Sequence, residues 1–171
     1  MISIAIILMT TLVIQQGKWN DNLAVSTQAY EMALMIRQAQ INSLGVKEYQ
    51  AGSGDKFNLG YGVYFDTTFT RYIYFVDKDR DKIYDDPGEK IEEKTFIRGV
   101  TIEKFCGNVG ETCSGLNSIN VSFFRPEPKA TIIFNPSGGF SSPATIYLKS
   151  SGNIKYKIKV EANGQISITK A

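Results

Sequence analysis

Six of the chain's 17 acidic residues fall in one run, Asp77-Lys78-Asp79-Arg80-Asp81-Lys82-Ile83-Tyr84-Asp85-Asp86-Pro87-Gly88-Glu89. Carboxylates alternating in this way are the pattern of a calcium loop, because calcium takes six to eight oxygen ligands. With Asp77 at loop position 1, Asp79, Asp81 and Asp85 stand at positions 3, 5 and 9. The candidate ligands are therefore Asp77, Asp79, Asp81, Asp85 and Glu89. Two departures weigh against them: Lys82 occupies the turn-glycine position, and Glu89 lies one place beyond the expected last ligand. Lys78, Arg80 and Lys82 also offset much of the negative charge. The alternative is a solvated hairpin tip that binds nothing.

A second set is basic. Lys155, Lys157 and Lys159 alternate with Tyr156, Ile158 and Val160, so a strand would put three ammonium groups on one face. Nucleic-acid phosphate is one partner for such a face. The alternative is an edge strand whose lysines discourage aggregation.

Other chemistries are excluded by composition. The 171 residues include no histidine, which removes Ser-His-Asp and Cys-His catalysis, His metal ligands and His pH switches. Two cysteines cannot complete a four-Cys zinc or iron-sulfur site. A carboxylate enzyme such as a glycosidase needs two acids about 5 to 9.5 Å apart in a cleft. Here the acids gather in one loop, and this class ranks last. A net charge of +2 implies no partner by itself.

These residues need a frame. The chain opens on an uncharged, mostly apolar run of 13 residues, 2–14. As a helix it reaches about 20 Å, short of the roughly 30 Å of a bilayer core. No basic residue precedes it and no small-x-small cleavage site follows, so it does not read as a signal peptide. Between Gln15 and Leu44 there is no proline, and Leu23, Tyr30, Leu34, Ile41 and Leu44 recur at helical spacing beside Ala29, Ala33 and Met35. The spacing predicts an amphipathic helix continuous with the apolar run, its stripe packed on the body, and Gly45 as its C-terminal cap.

Such a helix is roughly 65 Å long, whereas the roughly 125 residues after it form a body about 35 Å across. The apolar part, 1–16, must protrude, and the amphipathic part, 17–45, must dock. An apolar rod in water is not viable, so it belongs in a bilayer or among neighbouring subunits. Trp19, with Asn20, Asp21 and Asn22 close by, marks either an interfacial anchor or a segment that loosens on packing.

After a linker-like stretch at 50–54, period-two patterning predicts strands at 57–65, 71–76, 95–105, 119–124, 131–134, 145–148, 155–160 and 165–169. Turn signals separate them. The expected fold is α+β: a long N-terminal helix over 1–45, packed on an antiparallel β-sheet domain over 46–171.

A protruding helix, apolar then amphipathic, before an all-β body resembles the type IV pilins and pseudopilins, and within them the minor pseudopilins of the GspH/FimT type. The resemblance is carried by Ala33-Leu34-Met35-Ile36-Arg37-Gln38-Ala39-Gln40, Gly60-Tyr61-Gly62-Val63-Tyr64-Phe65, Tyr74-Phe75-Val76-Asp77, Pro87-Gly88-Glu89 and Ile132-Ile133-Phe134-Asn135-Pro136-Ser137-Gly138. Members start with a basic leader, a processing-site Gly and a Phe-Thr-Leu-Ile-Glu type segment. Here the run opens at Met1-Ile2-Ser3, with no acid before Asp21. The expectation is a true start roughly 7 residues further upstream.

The resemblance implies a structural subunit of a type IV pilus or type II secretion pseudopilus, and no enzyme. It implies a single-pass anchor in the inner membrane, an extracytoplasmic domain and other pilin subunits as partners. The membrane and filament-core residues would be Ile2, Ile4, Ile6, Ile7, Leu8, Leu12, Val13 and Ile14. Some similar minor pilins bind DNA through basic C-terminal regions, which makes Lys155, Lys157 and Lys159 candidate contacts for DNA uptake. In an exported protein Cys106 and Cys113 would close a small loop as a disulfide; in a reducing compartment they would remain thiols.

Overall fold

The computed structural model describes residues 2–45, 59–68, 70–85, 87–107, 113, 115–135 and 143–171. With no proline to interrupt it, the apolar run and the stretch after it form one helix, α1 (Ile2–Leu44). It continues unbroken through Gly17, Trp19 and Asn20. Gly45 stands just past its end and donates its N–H to the Ile41 carbonyl at 2.8 Å.

Nine strands follow among the described residues. A five-stranded antiparallel sheet contains β1 (Gly60–Asp66), β2 (Arg71–Asp77), β3 (Lys90–Thr95), β5 (Ser118–Phe124) and β6 (Glu127–Asn135), in the order β3-β2-β1-β5-β6. A four-stranded antiparallel sheet contains β4 (Thr101–Gly107), β7 (Ala144–Lys149), β8 (Lys155–Val160) and β9 (Ile166–Lys170), in the order β4-β7-β8-β9. The architecture is α+β, with one long N-terminal helix and two antiparallel sheets.

Period-two alternation builds the core. Tyr61, Val63 and Phe65 of β1, Tyr72, Tyr74 and Val76 of β2, and Ile119, Val121 and Phe123 of β5 point inward together. Ile146 and Leu148 of β7 and Ile158 and Val160 of β8 join them from the second sheet. α1 closes this core from Ala24 to Ala39, packing on β1 and β5 of one sheet and on β8 and β9 of the other. On the outer face of the first sheet, Gly62 leaves room for Phe75, whose ring would lie 2.6 Å from a Cβ built there.

Three expectations need correction. The sequence predicts one strand over 95–105, but Thr95 ends β3 and Thr101 begins β4 in the other sheet. A turn through Arg98 and Gly99, both at positive φ, separates them. β3 itself carries Lys90, Glu92, Glu93 and Lys94 on a largely exposed edge, so no apolar period announces it. The strand Lys155–Val160 is not an edge; it lies between β7 and β9. Thirdly, the apolar stripe Leu23, Tyr30, Leu34, Ile41 and Leu44 does not face the body. Each of these residues is exposed, and the docked face is made instead by Ala24, Val25, Ala29, Met32, Met35, Ile36 and Ala39. The linker-like stretch 50–54 and the turn 136–139 lie outside the described residues.

Candidate functional site

The outward face of α1 is the larger of two candidate sites. At about 100° per residue, Leu12, Trp19, Leu23, Tyr30, Leu34 and Ile41 fall within an arc of about 60°, opposite the docked face. Their exposures run from 52% to 76%. The stripe is about 44 Å long and runs from the protruding part of the helix to the docked part, with Gln16 and Arg37 as polar members of the same arc. Every described side chain from Ser3 to Asn20 is exposed, Ile4, Ile6, Ile7 and Leu12 included. The side chains of Ile2, Leu8, Val13 and Ile14 lie outside the described ones. Among the described residues no helix is long and apolar enough to cross a membrane.

The docked part is held in register by polar contacts as well as by packing. Ser43 Oγ donates to the Phe123 carbonyl at 2.7 Å. Gln40 Nε2 reaches the Pro128 and Gly164 carbonyls at 3.2 and 3.3 Å, while its Oε1 accepts from Arg37 at 2.7 Å. Near the point where the helix leaves the body, Ser151 and Tyr156 approach Asp21 and Asn22 at 3.4 and 3.5 Å. A shallow groove beside the stripe, lined by Tyr30, Ala33, Leu34, Arg37, Ile166 and Ile168, carries no carboxylate.

The second candidate is the tip between β2 and β3. It folds back onto the outer face of the first sheet. Tyr84 packs against Tyr64 and Phe75, at 5.5 and 5.6 Å between ring centroids, and its N–H donates to Asn120 Oδ1 at 3.0 Å. Asp77, at the end of β2, is fully buried; its Oδ1 and Oδ2 accept the N–H groups of Arg80 and Lys82 at 2.7 and 2.8 Å. Arg80 and Lys82 both take positive φ, 68° and 73°, so Lys82 adopts the left-handed turn that a calcium loop usually assigns to glycine. Glu89, 2% exposed at the end of a 3-10 turn (Pro87–Glu89), accepts the Lys78 N–H through Oε1 at 2.8 Å.

The tip brings together carboxylate oxygens of Asp77, Asp79 and Glu89, all within 4.8 Å of one another, and likewise those of Asp79, Asp81 and Asp85. Burial, opposed by the Lys82 and Arg80 N–H groups, pushes the Asp77 carboxyl up to about 6. Glu89 is raised too, by burial and then by the charges of Asp77, Asp79 and Asp85, against the Lys78 N–H. Asp81 is raised chiefly by the same loss of water, with Asp79 and Asp85 adding to it.

The lysine set is less available than its spacing implies. Lys155 pairs with Glu103 at 2.5 Å and Lys159 with Glu161 at 2.7 Å. Lys157 is the register partner of Tyr147 on β7, and the Tyr147 ring receives the Lys104 ammonium at 4.7 Å. Cys106 and Cys113 form a disulfide with an S–S distance of 2.02 Å.

Sequence reasoning found the helix and the acidic run. It missed the direction of the apolar stripe and the burial of Asp77 and Glu89. Period two through Ile73, Phe75 and Asp77 was the available signal for Asp77, since it puts that carboxylate on the face Tyr84 covers. Compared with known protein families, with characterised proteins and with solved structures, the chain matches none.

Proposed function

We propose that the chain is a structural subunit of a helical filament, a minor pilin or pseudopilin of a type IV pilus or type II secretion pseudopilus. The observation that carries this is the outward stripe of α1. A helix docked along one face offers a second apolar face from Leu12 to Ile41, and a contiguous exposed face of this kind marks a surface that other chains or lipid cover. Each large side chain transferred from water into a helix-packed core contributes about 1.5 to 3 kcal/mol. This gain applies to the stripe residues of the docked part, Leu23, Tyr30, Leu34 and Ile41, which stand in water before assembly.

The work is assembly and not catalysis. Before assembly the apolar start of α1 rests in the inner membrane with the β domain outside the cytoplasm, where the Cys106–Cys113 disulfide is stable. In the filament α1 packs among neighbouring helices while the β domain faces outward or caps the tip. Two of the three candidate DNA lysines are held by carboxylates. That leaves less charge than release of several phosphate counterions requires, so DNA capture has weaker support.

Crosslinking tests the proposal. Because both native cysteines are in the disulfide, Leu34→Cys introduces the one free thiol of the described residues. In the native host, a photo-crosslinker attached through the introduced thiol joins Leu34→Cys chains to a filament subunit, self or non-self, identified by mass spectrometry. Glu92→Cys, on the exposed edge strand β3, gives no such product. Equal crosslinking at the two positions overturns the assignment.

A further inference from the structure

We propose that the tip between β2 and β3 binds one calcium ion through the carboxylates of Asp77, Asp79 and Glu89. The site stands independently of how the helix is used.

Two observations of different kinds meet there. The first is the cluster: oxygens of the three carboxylates lie within 4.8 Å of one another, with Asp77 fully buried and Glu89 2% exposed. The second is an unanswered acceptor. Glu89 Oε2 is shielded from solvent and has no hydrogen-bond partner among the described residues, while Oε1 is already used by the Lys78 N–H. A shielded carboxylate oxygen without a partner costs more than a neutral group in the same position. The carboxylates of Asp77 and Asp79 beside Glu89 add repulsion, least screened by water between the two buried groups, Asp77 and Glu89. A divalent cation among these oxygens offsets both costs at once.

The objections raised by the sequence lose force in the fold. Lys82 already adopts the left-handed turn, so glycine is not required there. The Lys78 ammonium donates to the Gly88 carbonyl at 2.6 Å, and that of Lys82 lies 5.8 Å from the centre of the Phe124 ring. Each of these two ammonium groups thus has at least one partner outside the three carboxylates. Each Asp77 oxygen accepts one N–H and retains a second lone pair for a metal.

The all-oxygen, anionic ligand set selects a hard cation, and its irregular spacing suits calcium. Magnesium demands near-ideal octahedral geometry and keeps most of its water. Asp81 and Asp85, in reach of Asp79, deepen the negative field on the solvent side.

The test uses the full chain in detergent micelles, stripped with EDTA and titrated with calcium chloride by calorimetry. The expected result is one ion per chain with a Kd of about 0.1 to 1 mM, and a rise of about 3 to 11 °C in the unfolding midpoint at about 10 mM calcium. Glu89→Gln keeps an acceptor for the Lys78 N–H but loses the charge, and it weakens binding at least about tenfold. Glu92→Gln, on β3 outside the cluster, leaves binding unchanged. If circular dichroism shows that Glu89→Gln does not fold, Asp79→Asn at the exposed member of the set serves instead, with a loss of about fivefold or more. The proposal is overturned by an absence of both heat and midpoint shift at about 10 mM calcium. It is equally overturned by the same shift from sodium chloride at matched ionic strength, or by a folded carboxylate variant that binds as tightly as the parent.

Discussion

The two apolar faces of α1 are alike in hydrophobicity and opposite in use. The face on the body is built from Ala24, Val25, Ala29, Met32, Met35, Ile36 and Ala39; the face on solvent from Leu12, Trp19, Leu23, Tyr30, Leu34 and Ile41. Most of the inner residues are small or pliable, with Val25 and Ile36 the β-branched members. Alanines let the helix axis approach the sheets closely, and methionine fills what irregular space remains. The outer residues are broad and stand clear, as suits side chains that must reach another molecule. Residue shape, more than apolar character, thus separates packing within the chain from packing between chains.

The sharpest way to break this contrast is to shorten one side chain on each face. Ile36→Ala removes a fully buried side chain and should cost about 2 to 5 kcal/mol in denaturant unfolding of the full chain in micelles. Leu34→Ala, at a site 67% exposed, should stay within about 0.5 kcal/mol. A comparable loss at both sites would mean that the outer face is packed within the chain, and the contrast would collapse.

Charge probes the outer face from the other side. Leu34→Glu should leave the unfolding midpoint unchanged while reducing incorporation into filaments at least about tenfold, since one lost apolar contact of about 1.5 to 3 kcal/mol suffices. Immunogold counts of filament-associated protein, normalised to membrane content, would measure it. Normal incorporation of a folded Leu34→Glu chain would place the assembly surface elsewhere.

Among the described residues Gln28, Gln40 and Ser43 are the buried polar side chains of α1, and Gln40 sharpens the contrast by its bonds. Its amide reaches the Pro128 and Gly164 carbonyls, which join β6 and the β8–β9 turn to the helix. Gln40→Ala should cost about 1 to 2 kcal/mol, because the carbonyls lose a donor and Arg37 loses an acceptor. Thermal unfolding would check this, with Gln38→Ala on the exposed side as the neutral control.

How far all this could be read from the sequence depends on the kind of signal. The helix was legible from Ile2 to Leu44 because absence of proline, helical spacing and a closing glycine agree. Its orientation was not. When both faces are apolar, periodicity locates stripes without saying which one meets the body. The sheet interiors were legible where alternation is strong, as in β1 and β5. β3, with its exposed Lys and Glu residues, had no alternation to find. The position of β8 inside its sheet follows from long-range pairing with β7 and β9, which local pattern does not encode. The acidic tip was legible as alternating carboxylates. The burial of Glu89 was not, since it depends on the tip folding back onto the sheet.

The smallest expected effect concerns the part of α1 that has no inner face. Gly17 sits in the protruding helix, and a Cβ built there meets nothing within 4 Å. Gly17→Ala therefore changes only backbone freedom and helix propensity, worth about 0.5 to 1 kcal/mol locally. Among the described side chains the first contacts with the body come at Asp21 and Asn22, so this gain is expected in a segment that opens independently of the core. Hydrogen exchange in micelles should show slower exchange at amides close to Gly17, by about two- to fivefold, with no change in β1 or β5. Global unfolding should not move. Slower exchange in the sheets would show instead that the protruding segment and the core open as one unit, and the division of α1 at Asp21 would fail.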